Sequence, residues 1–442
     1  MLDIEKHLDN ELAAMSPSKP TIVFAESLDP RVIEAACFLS RFCKPVFLEK
    51  EEKVREAAEK NLPRVDKARI DYTFSESVFV DIPASKGLLE EFAPLVQYKE
   101  KDAVKSREEA LALARDPARF GICAVKAGHA DMVVGGATWE PVRFFRPALK
   151  ALGDDGVKAE AGLFFLPGGT SVDVFPGGMA VFGDVGVNAV MTPETLAHVA
   201  VETCAAAREV IPESALPEIR AAMVSYSNKG SDEGTSPDLV RKAYELVPAL
   251  LEKKISADKK YSSIKVVGEV KVSAVLSKRS ASHYLRNDRK AEDQAGRYNV
   301  IICPNIELGN FMYHFFSSNF PYAGKISAIC GAGFRIVDLA MDCTTDDIRL
   351  SVKANLLRHH GTGKWKETPR DTFFRKYRIL AVNPGSTSTK IALYEGDIER
   401  FTEEIQHSAE ELRSYEGKPI VSQFAFRKEI ILKTLKEKGF GV

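Results

Sequence analysis

Short, wholly apolar runs alternate with stretches of helical periodicity along most of this chain. After a charged, amphipathic start over residues 1–16, Pro20-Thr-Ile-Val-Phe24 has the pattern of a buried strand and stops at Ala25-Glu26-Ser27. Asp29-Pro30 then starts a helix, because proline suits a first helical position and Val32, Ala35, Ala36 and Leu39 recur at the spacing of one apolar face. Lys44-Pro-Val-Phe-Leu48 repeats the strand. Ala110 to Lys126 carries helical signals up to Gly128, and Met132 to Thr138 is again strand-like, with glycines at its end. The order strand, helix, strand, helix predicts a doubly wound parallel sheet.

The middle of the chain repeats the arrangement. From Ala161, the segments LFFLPGG, VDVFPGG and AVFGDVGVN give short strands that end near Asp184 and Asn188. Thr192 as cap, Pro193 at the first position and Glu194 in the first turn predict a helix that buries Leu196, Val199, Ala200, Thr203 and Cys204. Ala221 to Val224 then runs into Ser225-Tyr-Ser227-Asn-Lys229-Gly-Ser231. Hydroxyls, backbone N–H groups and one ammonium at a strand end suit an oxyanion, although by themselves these residues read first as a solvated turn. The next helix starts at Ser236-Pro237-Asp238, turns Val240, Tyr244, Val247 and Leu251 inward, and places its amino end behind Lys229, where its dipole favours an anion. Ile264 to Leu276 and Asn299 to Cys303 are further apolar runs, separated by an exposed helix or loop from Lys278 to Gly296.

A length of 442 residues predicts two or three domains. With 61 Lys+Arg against 62 Asp+Glu the net charge is -1, so nothing draws the chain as a whole to nucleic acid or a membrane, and any anion site is local. The cysteines at 37, 43, 123, 204, 303, 330 and 343 stand singly, mostly in apolar runs, and read as reduced core residues of a cytoplasmic protein. No basic-then-apolar leader opens the sequence, and no apolar run approaches the roughly 18 residues of a spanning helix.

Several segments, in order, resemble the phosphate acetyltransferases and their phosphate butyryltransferase relatives. SYSNKGS is similar to that family's SYSTKGS, and IVFAESLDPRVIEAA to its IVFPEGxDxRVLEAA. Gly128-His-Ala-Asp131 and the strand after it resemble GxADGMVSGA; FFRPAL resembles TxRPAL; Glu269 sits at the acidic position of DGELQFDAAL; and PNIELGNFMY resembles PDLNAGNxxYK, with Gly309, Asn310 and Tyr313 in matching spacing. The resemblance covers most of residues 20–357. It implies two doubly wound α/β domains of the isocitrate/isopropylmalate dehydrogenase type with a cleft between them: residues 1–155 with 328–360, and an inserted domain 156–327. It also implies a homodimer that moves a short acyl group between coenzyme A and inorganic phosphate, with coenzyme A as substrate, no metal and no separate cofactor.

That transfer needs a binder for the phosphate dianion, donors for the oxyanion of a tetrahedral intermediate, and a base for the thiol proton. By the resemblance, Asp347 is the base, Arg146 binds coenzyme A or phosphate, and Ser225, Ser227, Lys229 and Asn310 surround the anions in one crevice. The last matching segment departs from the family. Where the family reads GPxxQGxxKPVNDLSRGCSxxDI, this chain reads GAGFRIVDLAMDCTTDDI: Asp338, Leu339, Cys343, Asp347 and Ile348 are kept, but the serine and arginine of the substrate turn are Ala340 and Met341, and the glycine is Asp342. Loss of one such preorganised group costs on the order of 100- to 1000-fold in rate. Lys229, Arg146 or Arg335 could supply the missing charge; the alternative is a catalytically impaired acyl-CoA-binding or regulatory protein. Thr344 and Asp347 also fit a capping box, so cap and base are level readings of Asp347.

After a basic linker at 361–376, Tyr377 to Tyr394 reads as two apolar strands around the turn Gly385-Ser-Thr-Ser-Thr389, a phosphate-cradling hairpin of the acetate and sugar kinase type. Residues 377–442 resemble the amino terminus of butyrate kinases and stop short of a nucleotide-binding half, so no autonomous kinase activity is expected. The pairing points to short-chain fatty acid metabolism. SYSNKGS favours acetyl and the tail favours butyryl, which leaves the acyl chain open.

Overall fold

The computed structural model describes residues 2–15, 19–62, 65–99, 104–153, 156–167, 175–285, 295–331, 335–360, 378–395 and 398–438. The linker 361–376, and the part of the strand run expected over 168–174, lie outside the described residues. The chain divides into two compact units, Met1–Arg370 and Asp371–Val442.

In the first unit, four strands come early: β1 (Thr21–Phe24), β2 (Lys44–Phe47), β3 (Val78–Phe79) and β4 (Met132–Gly135). Six follow: β5 (Ala159–Phe165), β6 (Met179–Gly183), β7 (Ile219–Val224), β8 (Ile264–Val270), β9 (Val300–Ile302) and β10 (Gly324–Cys330). Then β11 (Ile336–Asp338) rejoins the first group. The helices that matter for the site are α1 (Ile4–Ala13), α2 (Pro30–Leu39), α3 (Phe145–Leu152), α4 (Pro193–Val210), α5 (Thr235–Ala257), α6 (Ile306–Asn319) and α7 (Thr345–His360).

The first sheet has the order β11-β4-β1-β2-β3 and every pairing is parallel. Its strands are covered on both faces, which is why β1 and β4 read as unbroken apolar runs rather than alternating ones. Helix α2 begins where the sequence predicts, with the Asp29 carboxylate accepting from the Arg31 backbone N–H and Pro30 at the first position.

The second sheet, β10-β5-β6-β9-β7-β8, is mixed, and this corrects the expectation of a second doubly wound domain. The strands β6, β9, β7 and β8 are parallel, but β5 runs antiparallel to β6 and to β10. Among the described residues no crossover helix stands between β5 and β6, and without one a following strand pairs antiparallel. Strand β10 stays in this sheet through Cys330, past the boundary expected at 327, before the chain returns to the first sheet at β11. Helix α4 buries Leu196, Val199, Ala200, Thr203 and Cys204 as its spacing predicts, with the Thr192 hydroxyl accepting from the Thr195 N–H. Helix α5 starts at Thr235, one residue before the expected Ser236, without a side-chain cap.

All the cysteines are free and buried, and no helix of the described residues is long and apolar enough to cross a membrane. The second unit is a three-stranded antiparallel sheet of β12 (Arg378–Pro384), β13 (Ser388–Glu395) and β14 (Ile398–Gln406), with helix α8 (Phe424–Glu437) contributing Ile431 and Leu435 to its small core. From α8 the Arg427 guanidinium donates to the carbonyls of Gly385 and Ser388 and to the Thr389 hydroxyl, so it holds the expected glycine turn in shape.

In the first unit, α1 is fastened to α7 by charge. The fully buried Lys353 ammonium lies 3.0 Å from Glu5 Oε1 and 2.7 Å from Asp9 Oδ1. Glu5→Ala with Asp9→Ala strands that ammonium and is expected to cost about 3–5 kcal/mol in equilibrium urea unfolding, with Lys353→Met in the same background recovering most of it. A loss below about 1 kcal/mol would show that α1 is held by its apolar face alone.

Candidate active site

The carboxyl edge of the first sheet is built from the ends of three neighbouring parallel strands. Glu26 follows β1, Gly136-Ala137-Thr138 follows β4, and Ala340-Met341 follows β11. The chain reverses its direction of winding between β1 and β4, and in open parallel sheets that switch point is where a crevice opens. Glu26, buried there, accepts from the N–H groups of Ala137 and Thr138 and from the Thr138 hydroxyl. Gly136 has φ +101°, and a Cβ on it would sit 2.7 Å from the Leu339 carbonyl oxygen, so only glycine lets β4 and β11 close together here.

Arg31, in the first turn of α2, binds this edge together. Its Nε and Nη2 donate to Asp29, Nη2 also to the Ala137 carbonyl, and Nη1 to the carbonyls of Met341 and Cys343. Those bonds use all five guanidinium donors. Arg31 was not among the residues expected at the site. The signal for it was a basic side chain in the first turn of a helix, where the dipole favours acids.

Asp347 lies in the first turn of α7 and is buried. The expected capping box forms: Thr344 N donates to Asp347 Oδ2 at 3.0 Å, and Asp347 N donates to the Thr344 hydroxyl at 3.1 Å. The same Oδ2 is 3.5 Å from the ammonium of Lys325, which projects from the start of β10 and is only 2% exposed. The two readings of Asp347 therefore do not compete, since one carboxylate both caps the helix and faces a buried cation. Lys325 was absent from the expected site because it reads as the first residue of an apolar strand. A lysine in such a run is itself the signal, since lysines are almost never fully buried unless paired.

Around this pair the two sheets meet. The Tyr313 ring lies against Gly162 of β5, where a Cβ would come within 2.6 Å of it, and both Tyr313 and Tyr322 have their ring centroids 5.6 Å from the Lys325 ammonium. Beside Tyr313 on the same face, the Glu160 carboxylate accepts from the Ser327 hydroxyl at 2.8 Å. Burial pushes the Glu160 carboxyl up to about 7, and Asp184 nearby adds to the effect. Burial also pushes Asp338 well above the ordinary carboxylate range, with Glu160 and Glu26 as like-charged neighbours. The pocket is thus rich in carboxyl groups whose protons are held more tightly than usual.

The other expected residues fall into place unevenly. Ala340 and Met341 sit on the carboxyl edge, Met341 about half exposed. Arg146 is exposed in the first turn of α3, on the chain that leaves β4. Asn310 is on α6 with Tyr313 and donates to the Val185 carbonyl. Arg335 donates to the Leu152 carbonyl. Ser225, Ser227 and Lys229 lie past the end of β7, four strand spacings from β10 or about 19 Å, and at the opposite edge of the sheet from Lys325. There Ser227 is wholly buried and its hydroxyl accepts from Asp232 N, the Asn228 carboxamide oxygen accepts from Lys271 N, and Glu269 accepts from Gly230 N and Arg241. The expected single crevice is therefore narrower within this chain: Tyr313, Asp347, Ala340 and Met341 gather near it, and the 225–231 turn does not join them. Among the described residues, no group of three His, Cys, Asp or Glu side chains could hold a metal ion.

Fold and site define a two-sheet α/β protein with a cluster of charged, largely buried side chains at the carboxyl edge of its parallel sheet. The sequence profile of the phosphate acetyl/butaryl transferase family matches residues 8–352, and the chain belongs to that family. It is 29% identical over 339 residues to a phosphate acetyltransferase of Clostridium acetobutylicum, covering 75% of this chain and 91% of that protein. The figures for the phosphate acetyltransferase of Thermoanaerobacterium thermosaccharolyticum are 27% over 336 residues, 75% and 92%. A phosphotransacetylase structure from Streptococcus pyogenes matches with a TM-score of 0.63 and 25% identity, over 82% of this chain and all of that one. A C-terminal segment of 67 residues is 51% identical to butyrate kinase 2 of Clostridium acetobutylicum, but spans only 18% of that kinase.

The Glu160 carboxyl gives the pocket a pH signature. The folded chain keeps this proton to higher pH than the unfolded one, so the stabilisation is full below pH about 4.3 and is lost as pH rises through about 7. Glu160→Gln keeps an acceptor for Ser327 and cannot ionise. It is expected to match wild type at about pH 4 and to exceed it by on the order of 2–4 kcal/mol at about pH 8 in urea unfolding. Equal differences at the two pH values would place the Glu160 carboxyl in the ordinary range.

Proposed function

We propose that this chain transfers a short acyl group between coenzyme A and inorganic phosphate at the carboxyl edge of its first sheet, with Asp347 as the general base. The observation that carries the reading is the family position of Asp347 combined with its setting, a buried carboxylate beside a cation in the first turn of the helix that follows β11. In the direction of acyl phosphate and free coenzyme A, the thiol gives its proton to Asp347 while the sulfur attacks the acyl carbonyl. A tetrahedral intermediate forms and the carbon–oxygen bond to phosphate breaks. In the reverse direction a phosphate oxygen attacks the thioester, and the departing thiolate takes the proton back. Both substrates occupy the site together, and the acyl group passes directly between them without an acyl-enzyme.

Arg146 and Asn310, on elements that flank the edge, are the proposed contacts for the coenzyme or the phosphate. Ser227 is used up in its own turn and is given no such role. Acyl-CoA sensing without turnover has less support, because the relatives that span the same region are named as transferases. The free, buried thiols support a reducing compartment. The exposed aromatic row Phe311, Phe315 and Phe320 on and after α6 supports pairing of two copies.

The test of the activity is acyl-CoA loss that depends on added phosphate, with acetyl-, propionyl- and butyryl-CoA. Asp347→Asn keeps an oxygen acceptor for Thr344 and so preserves the cap. Its kcat is expected to fall by about 100- to 10,000-fold with the melting curve little changed, and a loss under about tenfold would remove Asp347 as base. For the assembly, Phe311→Ser with Phe315→Ser is expected to halve the mass measured by light scattering, and an unchanged dimer would place the interface elsewhere.

A further inference from the structure

The family arginine is missing at 341, so the pocket needs another cation if it is to hold phosphate, and the structure decides which one is available. Arg31 is close, but its five donors are taken by Asp29 and by the carbonyls of Ala137, Met341 and Cys343. Arg335 donates to the Leu152 carbonyl, Lys229 lies past β7, at the far edge of the other sheet, and Arg146, exposed in the first turn of α3, is left to the coenzyme. Lys325 is different. Its ammonium makes one bond of ordinary length, 3.1 Å to the Ser317 hydroxyl. Its two carboxylate neighbours are at 3.5 Å (Asp347 Oδ2) and 3.9 Å (Asp342 Oδ1), beyond hydrogen-bond length. An ammonium has three N–H donors, so two are held by charge alone.

We infer that Lys325 is the phosphate-binding cation of this pocket, reaching from β10 into the space that the family fills with the arginine at position 341. The inference rests on the transferase reading of the same site. Asp342 follows Met341 in sequence and lies 3.9 Å from the ammonium, which places the charge next to the altered turn. Asp342 is 56% exposed at its side chain, so it can swing into solvent and give up its place to an incoming oxyanion. The faces of Tyr313 and Tyr322 flank the ammonium and keep water from screening it. Asp347 stays within reach, so the cation that grips phosphate also offsets the repulsion between phosphate and the base. The methionine in the turn and the buried lysine belong together: the first leaves the turn without its cation, and the second supplies the charge from β10.

The test is steady-state kinetics on the full chain with the two substrates varied separately. Lys325→Met is expected to raise the KM for phosphate by about 10- to 100-fold and leave the KM for acyl-CoA within about twofold, while Lys325→Arg keeps most of the phosphate affinity. Met341→Arg is expected to restore phosphate affinity in the Lys325→Met background, which a merely structural lysine would not allow. An unchanged phosphate KM in Lys325→Met, or a loss that Met341→Arg does not relieve, overturns the inference. Calorimetric titration with inorganic phosphate separates this claim from the function itself. Phosphate binding that is lost in Lys325→Met, in a chain with no acyl turnover, would sink the transferase reading and keep Lys325 as the anion site. A wild type that neither binds nor consumes phosphate would sink both.

Discussion

The site depends on one guanidinium. Arg31 ties the ends of β4 and β11 to the start of α2, and with no donor to spare it acts as a rivet rather than a ligand. Because the carbonyls of Ala137, Met341 and Cys343 all point at it, the turn between β11 and α7 has little freedom, and the first turn of α7 is delivered to a fixed place. The Thr344–Asp347 cap then fixes the carboxylate on that helix. Geometry of this kind is what preorganisation requires, since a catalytic group gains most when it need not move at the moment of reaction.

The charges follow from that frame. Four carboxyl groups, Glu26, Asp338, Glu160 and Asp347, come from strand ends and a helix start that the fold forces together, and two of them hold their protons unusually well because burial disfavours the anion. Glu26 is stabilised differently, by two backbone N–H groups and a hydroxyl. Asp347 faces the Lys325 ammonium. A fold that gathers this many acids would repel phosphate, and the buried lysine offsets that repulsion.

Much of this was legible in the letters. The apolar runs at β1, β2 and β4 gave the parallel sheet, Asp29-Pro30 and Thr192-Pro193 marked helix starts, and Thr344 with Asp347 announced a cap. What could not be read was contact between elements of different layers. Lys325 and Asp347 are close in sequence, but the strand and helix that carry them belong to different layers, and nothing local to GKISAIC says which way its lysine points. The reversal of β5 was hidden for a similar reason, because a buried strand reads the same in either direction. The 225–231 turn shows the opposite case: its hydroxyls and lysine suggested a ligand, yet Ser227 closes the turn through Asp232 N and Asn228 ties it to Lys271 N past β8.

In the proposed reaction phosphate and the thiol of coenzyme A meet at the carboxyl edge of the first sheet. A crystal structure of the full chain with coenzyme A and inorganic phosphate tests this most directly. Phosphate oxygens are expected within about 3 Å of the Lys325 ammonium and the sulfur within hydrogen-bond reach of Asp347. Phosphate seated instead in the 225–231 turn, with the pocket around Asp347 holding only water, would contradict it.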